Sequence, residues 1–281
     1  MENQTREGKF ELSVLGAVWM VVFYSFIIVF IMGLLWLPFS ILIESVSFEI
    51  TENIQVIMDL LRGTIIEIII IVLALKKVKK VSKGNFKLKY MDKFNYKLLF
   101  SAMFLIGGYY LFYESSIGII MEKVPVPQFI EEGFEEMFLH PYDAFISTVI
   151  KAPIFEEIFM RGIILGGLLN RYSPKKAIII SALIFGACHL NIPQFIDATL
   201  GGLILGMIYY KTNSLFLCIV AHMTNNILST IMEYTEHSFN MITFFLGVII
   251  FTGSAMLFFR YHKELDEKLE MDKLYKKQEV L

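Results

Sequence analysis

Residues 12–43 contain no charged side chain. A helix needs about 20 predominantly apolar residues to cross the hydrocarbon core of a bilayer, and a longer one crosses at a tilt. A run of this length therefore points to a membrane span. The alternative is a cleaved secretory leader. The run far exceeds the roughly 7–15 apolar residues of a leader, and the residues before it are not clearly basic. The whole chain has the same bias: 56% of residues are hydrophobic, against about 45–50% in a soluble domain.

The apolar excess resolves into eight expected spans, roughly 13–43, 59–76, 97–120, 142–170, 176–191, 194–210, 213–232 and 241–260. They are long and do not alternate, which favours helices over strands. The expected fold is an all-α membrane protein, a polytopic bundle of about eight transmembrane helices. The charges support this count. Residues 76–97 hold nine lysines and one aspartate. The expected inner loops also include Arg171, Lys175, Lys176 and Lys211, with Arg260 opening the tail. The opposite loops carry Glu44, Glu49, Glu52, Glu122, Glu131, Glu132, Glu135, Glu136, Glu233 and Glu236, with one lysine, Lys123. By the positive-inside rule both termini are then cytoplasmic. The lysine block reads as a topology signal, so no nucleic-acid partner is expected. The expected partners are membrane lipids and a membrane-associated protein or peptide.

Residues 127–140 place apolar side chains at 129, 130, 134, 137 and 138, which is helical spacing. An acidic amphipathic helix on the outer surface is expected there. Pro141 and Asp143 suit the first turn of the next span. Cys188 and Cys218 lie in apolar segments and suggest neither a disulfide framework nor a metal site. The chain divides into three regions: 1–141 with three spans, the Lys-rich loop and the amphipathic helix; 142–232 with the chemistry; and 233–281 with the last span and a charged tail.

The run Glu156-Glu157-Ile158-Phe159-Met160-Arg161 puts three ionisable groups inside a span. Such groups are costly in a bilayer and mark functional sites by default. Glu157 and Arg161 are four apart and share a helix face, so they can form a structural ion pair. Glu156 is rotated about 100° from Glu157 and is left as the reactive carboxylate. Pro153 cannot donate to the Val149 carbonyl and is expected to bend the helix. Two further pairs recur at i, i+4: Phe185 with His189, whose rings can pack together, and His222 with Asn226. At about 1.5 Å per residue from the inner helix ends, Glu156 lies about 21 Å deep, His189 and Asn226 about 20 Å, and His222 about 14 Å.

A carboxylate with a histidine can activate water as a general base. A second histidine with an amide can donate hydrogen bonds to an oxyanion. Together they can hydrolyse an acyl bond, most plausibly a peptide bond. Glu156, His189 and His222 are also chemically reasonable zinc ligands. However, the chain has neither the His-Glu-x-x-His helix of zinc proteases nor a Gly-x-Ser-x-Gly elbow. Glu67, in the second span, has either an ion-site role or Arg62 as its partner.

Glu156-Glu157-x-x-x-Arg161, Phe185-x-x-x-His189 and His222-x-x-x-Asn226 resemble the three ordered motifs of the CAAX-processing and bacteriocin-processing intramembrane proteases, the CPBP or Abi family. The turn Asn170-Arg171-Tyr172-Ser173-Pro174 and the Gly-rich span after His189 are similar too. The resemblance covers roughly residues 142–232. It implies an eight-helix fold and endopeptidase activity, with Glu156 and His189 activating water and His222 and Asn226 supporting the oxyanion. Glu157, Arg161 and Phe185 then support the site. It favours a glutamate mechanism without a cofactor, with zinc on Glu156, His189 and His222 as the alternative. It also implies an integral, multi-pass protein of a bacterial cell membrane. Two other classes compete: a non-catalytic immunity or scaffold protein, and an ion-coupled transporter. The inverted repeats with broken helices that mark many transporters are not evident.

Overall fold

The described residues form nine helices and no strand. The computed structural model describes residues 10–45, 52–91, 95–235 and 240–278. Glu49, Lys93 and Glu236, part of the charge pattern above, lie outside the described residues. The helices are α1 (14–45), α2 (Glu52–Val81), α3 (Tyr96–Met121), α4 (Gln128–Phe138), α5 (141–169), α6 (Pro174–Ala187), α7 (Ile192–Thr212), α8 (Leu215–Glu233) and α9 (Met241–Gln278).

Length and apolarity alone carry five crossings: Val14–Pro38 of α1, all of α3, α7 and α8, and Met241–Met271 of α9. The other three expected spans fall short for identifiable reasons. Helix α6 has 14 residues, about 21 Å of rise against a core of about 30 Å. Helix α2 carries Asp59, Arg62 and Glu67, and α5 carries Lys151, Glu156, Glu157 and Arg161. The charged tail after 260 is no separate segment. It continues α9 without a break to Gln278.

Contacts divide the chain into two compact units. The first joins Met1–Leu88 to Pro127–Phe185, and the second joins Lys89–Val126 to Gly186–Leu281.

In the first unit the segment before α1 is tied to the end of α5. The Leu12 N–H donates to the Gly167 carbonyl at 2.9 Å, and the Asn170 amide donates to the Phe10 carbonyl at 2.9 Å. Gly167 is required for this approach, since a Cβ there would lie 2.7 Å from the Phe10 ring and 2.8 Å from Leu12. Ser13 caps α1 by accepting from the Gly16 N–H. Tyr24 of α1 meets Phe159 of α5 edge to face, with ring centres 6.2 Å apart. Helix α4 is amphipathic, as its sequence predicts, with Phe129 exposed and no residue buried. Pro141 and Asp143 stand in the first turn of α5.

In the second unit α3 and α9 touch backbone to backbone. A Cβ on Gly108 would fall on the Phe251 backbone, and one on Gly247 on the Phe112 backbone. Small residues at such crossings let membrane helices pack closely without a hydrophobic driving force. A tight turn joins α7 to α8. Asn213 takes the left-handed conformation at φ 49°, and Ser214 caps α8 by accepting from the Leu217 N–H. The extended residues Lys89 and Tyr90 brace that turn, accepting through their carbonyls from the Leu215 and Phe216 N–H groups. Lys89 Nζ donates to Asn213 Oδ1 at 2.8 Å.

Candidate active site

Helix α5 changes its winding around the acidic run. Residues Phe145–Lys151 and Ile158–Leu165 are π-helical, and the α-helical Ala152–Glu157 lies between them. Pro153 explains the first change. It offers no N–H, and just before it the Ala152 N–H reaches five residues back to the Ser147 carbonyl. The widened turns end just before Pro153. Each π turn shifts the phase of the side chains after it, and such insertions often occur at functional sites.

The Glu157–Arg161 pair forms within this helix. Arg161 Nη1 lies 2.7 Å from Glu157 Oε1, and the two side chains are 1% and 0% exposed. The Arg161 guanidinium stands over the Phe185 ring, 4.6 Å from its centre. Phe185 is therefore a platform for the arginine. A fully buried ion pair is not a large net source of stability, but either partner alone would be a stranded charge.

Glu67 also finds its counterpart here. Arg62 pairs with Asp59 at 2.8 Å and lies over the Trp36 ring. Glu67 Oε1 instead faces Lys151 Nζ of α5 at 3.8 Å. Gly63, one turn before Glu67, makes room for the lysine, because a Cβ there would be 3.1 Å from Nζ. Glu156 is close enough for its charge to act on Glu67. Lys151 of α5 thus faces a carboxylate of α2. The sequence reading missed this lysine, although a cation inside a span carries the same signal as an acid.

His189, His222 and Asn226 belong to the second unit. His189 requires a correction. The sequence predicts a span to residue 191 that carries His189 one turn after Phe185, but α6 ends at Ala187. His189 stands in the next turn, with its N–H donating to the Gly186 carbonyl at 3.1 Å and its carbonyl accepting from the Asn191 amide at 3.0 Å. Leu190 is left-handed at φ 59°, and Pro193 opens α7. The helical depth estimate therefore does not apply to His189. Its position is fixed by turn geometry, and Asn191, which also caps α7 at the Gln194 N–H, holds that turn. His222 and Asn226 share a face of α8, and His222 is buried. The Asn225 amide approaches Asn226 Oδ1 at 3.4 Å.

Asp197 of α7 is a further residue that the sequence reading passed over. Its Oδ1 accepts from the Tyr109 hydroxyl at 2.7 Å. His189 and His222 both lie within electrostatic range of its carboxylate. The signal was present, because Asp197 is the only acidic residue of α7. Cys218 is buried, and its thiol donates to the Leu205 carbonyl at 3.5 Å. Among the described residues, no group of three or more His, Cys, Asp or Glu side chains is disposed to hold a metal ion.

Residues 139–228 match the family described as type II CAAX prenyl endopeptidase, Rce1-like. All three motifs fall inside that segment, and the family resemblance drawn from them is borne out over it. A curated protein of Bacillus subtilis (strain 168), named "Putative membrane peptidase YdiL", is 31% identical over 93 residues. That alignment covers 33% of this chain and 38% of the relative, so the chain spans well under half of that protein's length. No solved structure matches. With its apolar helices, the chain is a multi-pass integral membrane protein.

Proposed function

We propose that this protein is an intramembrane endopeptidase hydrolysing peptide bonds of membrane-associated proteins or peptides. The observation that carries this reading is the set of three ordered motifs inside the segment that matches the Rce1-like family. Glu156 and His189 take a proton from water as its oxygen attacks the scissile carbonyl carbon. His222 and Asn226 donate hydrogen bonds to the resulting oxyanion. When the intermediate collapses, the C–N bond breaks and the captured proton passes to the leaving amine. Glu157 and Arg161 neutralise each other on Phe185 and keep the charge of the run on Glu156.

The test is cleavage of a panel of membrane-associated peptides by the purified protein in proteoliposomes. Glu156→Gln and His189→Ala are each expected to slow cleavage by at least about 100-fold, the usual share of a general base. Undiminished cleavage by Glu156→Gln would remove the mechanism. Activity lost to a chelator and restored by zinc would move Glu156, His189 and His222 into the role of metal ligands. A non-catalytic scaffold or immunity protein predicts no cleavage of any peptide.

A further inference from the structure

A concave groove of about 420 Å³ runs between α3 and α9 in the second unit. Both walls lie outside the segment that matches the protease family. The groove extends from Lys97 to Phe104 along α3, about 10 Å of helix rise. Its sides are apolar: Phe100 and Phe104 of α3 and Leu257 of α9 are 52%, 59% and 43% exposed. Its floor is built from small residues. Ser101 and Ser254 turn their hydroxyls back onto the Leu98 and Ile250 carbonyls, which leaves no free donor in the groove floor. A Cβ at Gly253 would meet nothing within 4 Å.

One end differs from the rest. Tyr96 and Tyr261 flank it, and Lys97 Nζ lies 5.3 Å above the Tyr261 ring. Tyrosines with a basic residue mark the interfacial layer of a membrane protein, where the hydrocarbon gives way to headgroups. The groove therefore offers an apolar trough in the hydrocarbon layer and a cation at headgroup level. Lys97 also closes the lysine-rich stretch 76–97, the kind of segment that attracts anionic headgroups.

We propose that this groove binds an anionic phospholipid, with one acyl chain between α3 and α9 and its phosphate at Lys97. Charge complementarity singles out an anionic lipid over a neutral one, and the apolar trough singles out a lipid over a soluble anion.

The experiment is native mass spectrometry of the full chain released from nanodiscs of equal phosphatidylglycerol and phosphatidylcholine. Phosphatidylglycerol adducts are expected to dominate. Lys97→Gln should cut that preference about fivefold, the factor one basic residue contributes near an anionic surface, while total lipid retention stays. Gly253→Leu places a side chain in open space, so the fold is expected to survive. It should remove adducts of both lipids, with circular dichroism verifying the helix content. Equal retention of the two lipids by the unaltered protein overturns the proposal, as does an adduct pattern unchanged by Gly253→Leu. So does a dimer that Gly253→Leu abolishes, which would make the groove a contact between copies. None of these readouts depends on cleavage.

Discussion

At the scale of single residues, the charges on α5 have unequal roles. Glu157 and Arg161 are fully buried and joined, so replacing one strands the other. Arg161→Met is expected to cost about 3–5 kcal/mol, seen as a large fall in the thermal unfolding midpoint in detergent. Glu157→Gln/Arg161→Met together should recover much of that loss; no recovery would show that the pair is not the source. Lys151→Met is expected to slow peptide cleavage more than it lowers the unfolding midpoint, because it removes the cation that faces the Glu67 carboxylate. An equal effect on both quantities would reduce Lys151 to a packing residue. The ion pair was legible from spacing alone, since i, i+4 neighbours on a helix meet whatever surrounds them. Lys151 with Glu67 was not, because those residues lie 84 positions apart in sequence. Asp197 was overlooked for a different reason: it is a single acid among apolar neighbours, and its partner Tyr109 is on another helix.

At the scale of elements, backbone detail decides where side chains point. The π-helical stretch before Pro153 sets the phase at which Glu156 leaves α5. Pro153→Ala restores a backbone donor and allows regular winding, which rotates the remainder of the helix. It is expected to reduce cleavage while leaving helix content unchanged, measured by peptide cleavage beside circular dichroism; full activity would separate the winding from the site. Hydrophobic periodicity cannot reveal such a change, because it averages over several turns. The same averaging carried the fifth expected span to residue 191, although α6 ends at Ala187. The break is local: α6 ends at Ala187, Leu190 is left-handed, and Pro193 stands in the first turn of α7. Gly108→Leu is expected to separate α3 from α9 and lower the unfolding midpoint by several degrees or more. An unchanged midpoint would show that the close crossing is dispensable.

At the scale of the whole molecule, the all-helical class and membrane character were plain in the sequence, because long apolar runs admit few other solutions. The number of crossings is harder to read, since α2 and α5 trade apolarity for the charges that make them interesting. Cysteine labelling from either side of sealed vesicles counts the crossings. With Cys188 and Cys218 replaced, cysteines at Lys83 and Lys268 are expected to react from one side and a cysteine at Glu132 from the other. Labelling of Lys83 and Glu132 from the same side would remove a crossing between them. The clasp between residues 10–12 and the end of α5 has a consequence for biosynthesis. Leu12 leaves the ribosome long before Gly167 exists, so the first helix enters the bilayer without its anchor. Its dock waits until more than half of the chain has been made, and during that interval an insertase or chaperone has an unfinished surface to hold.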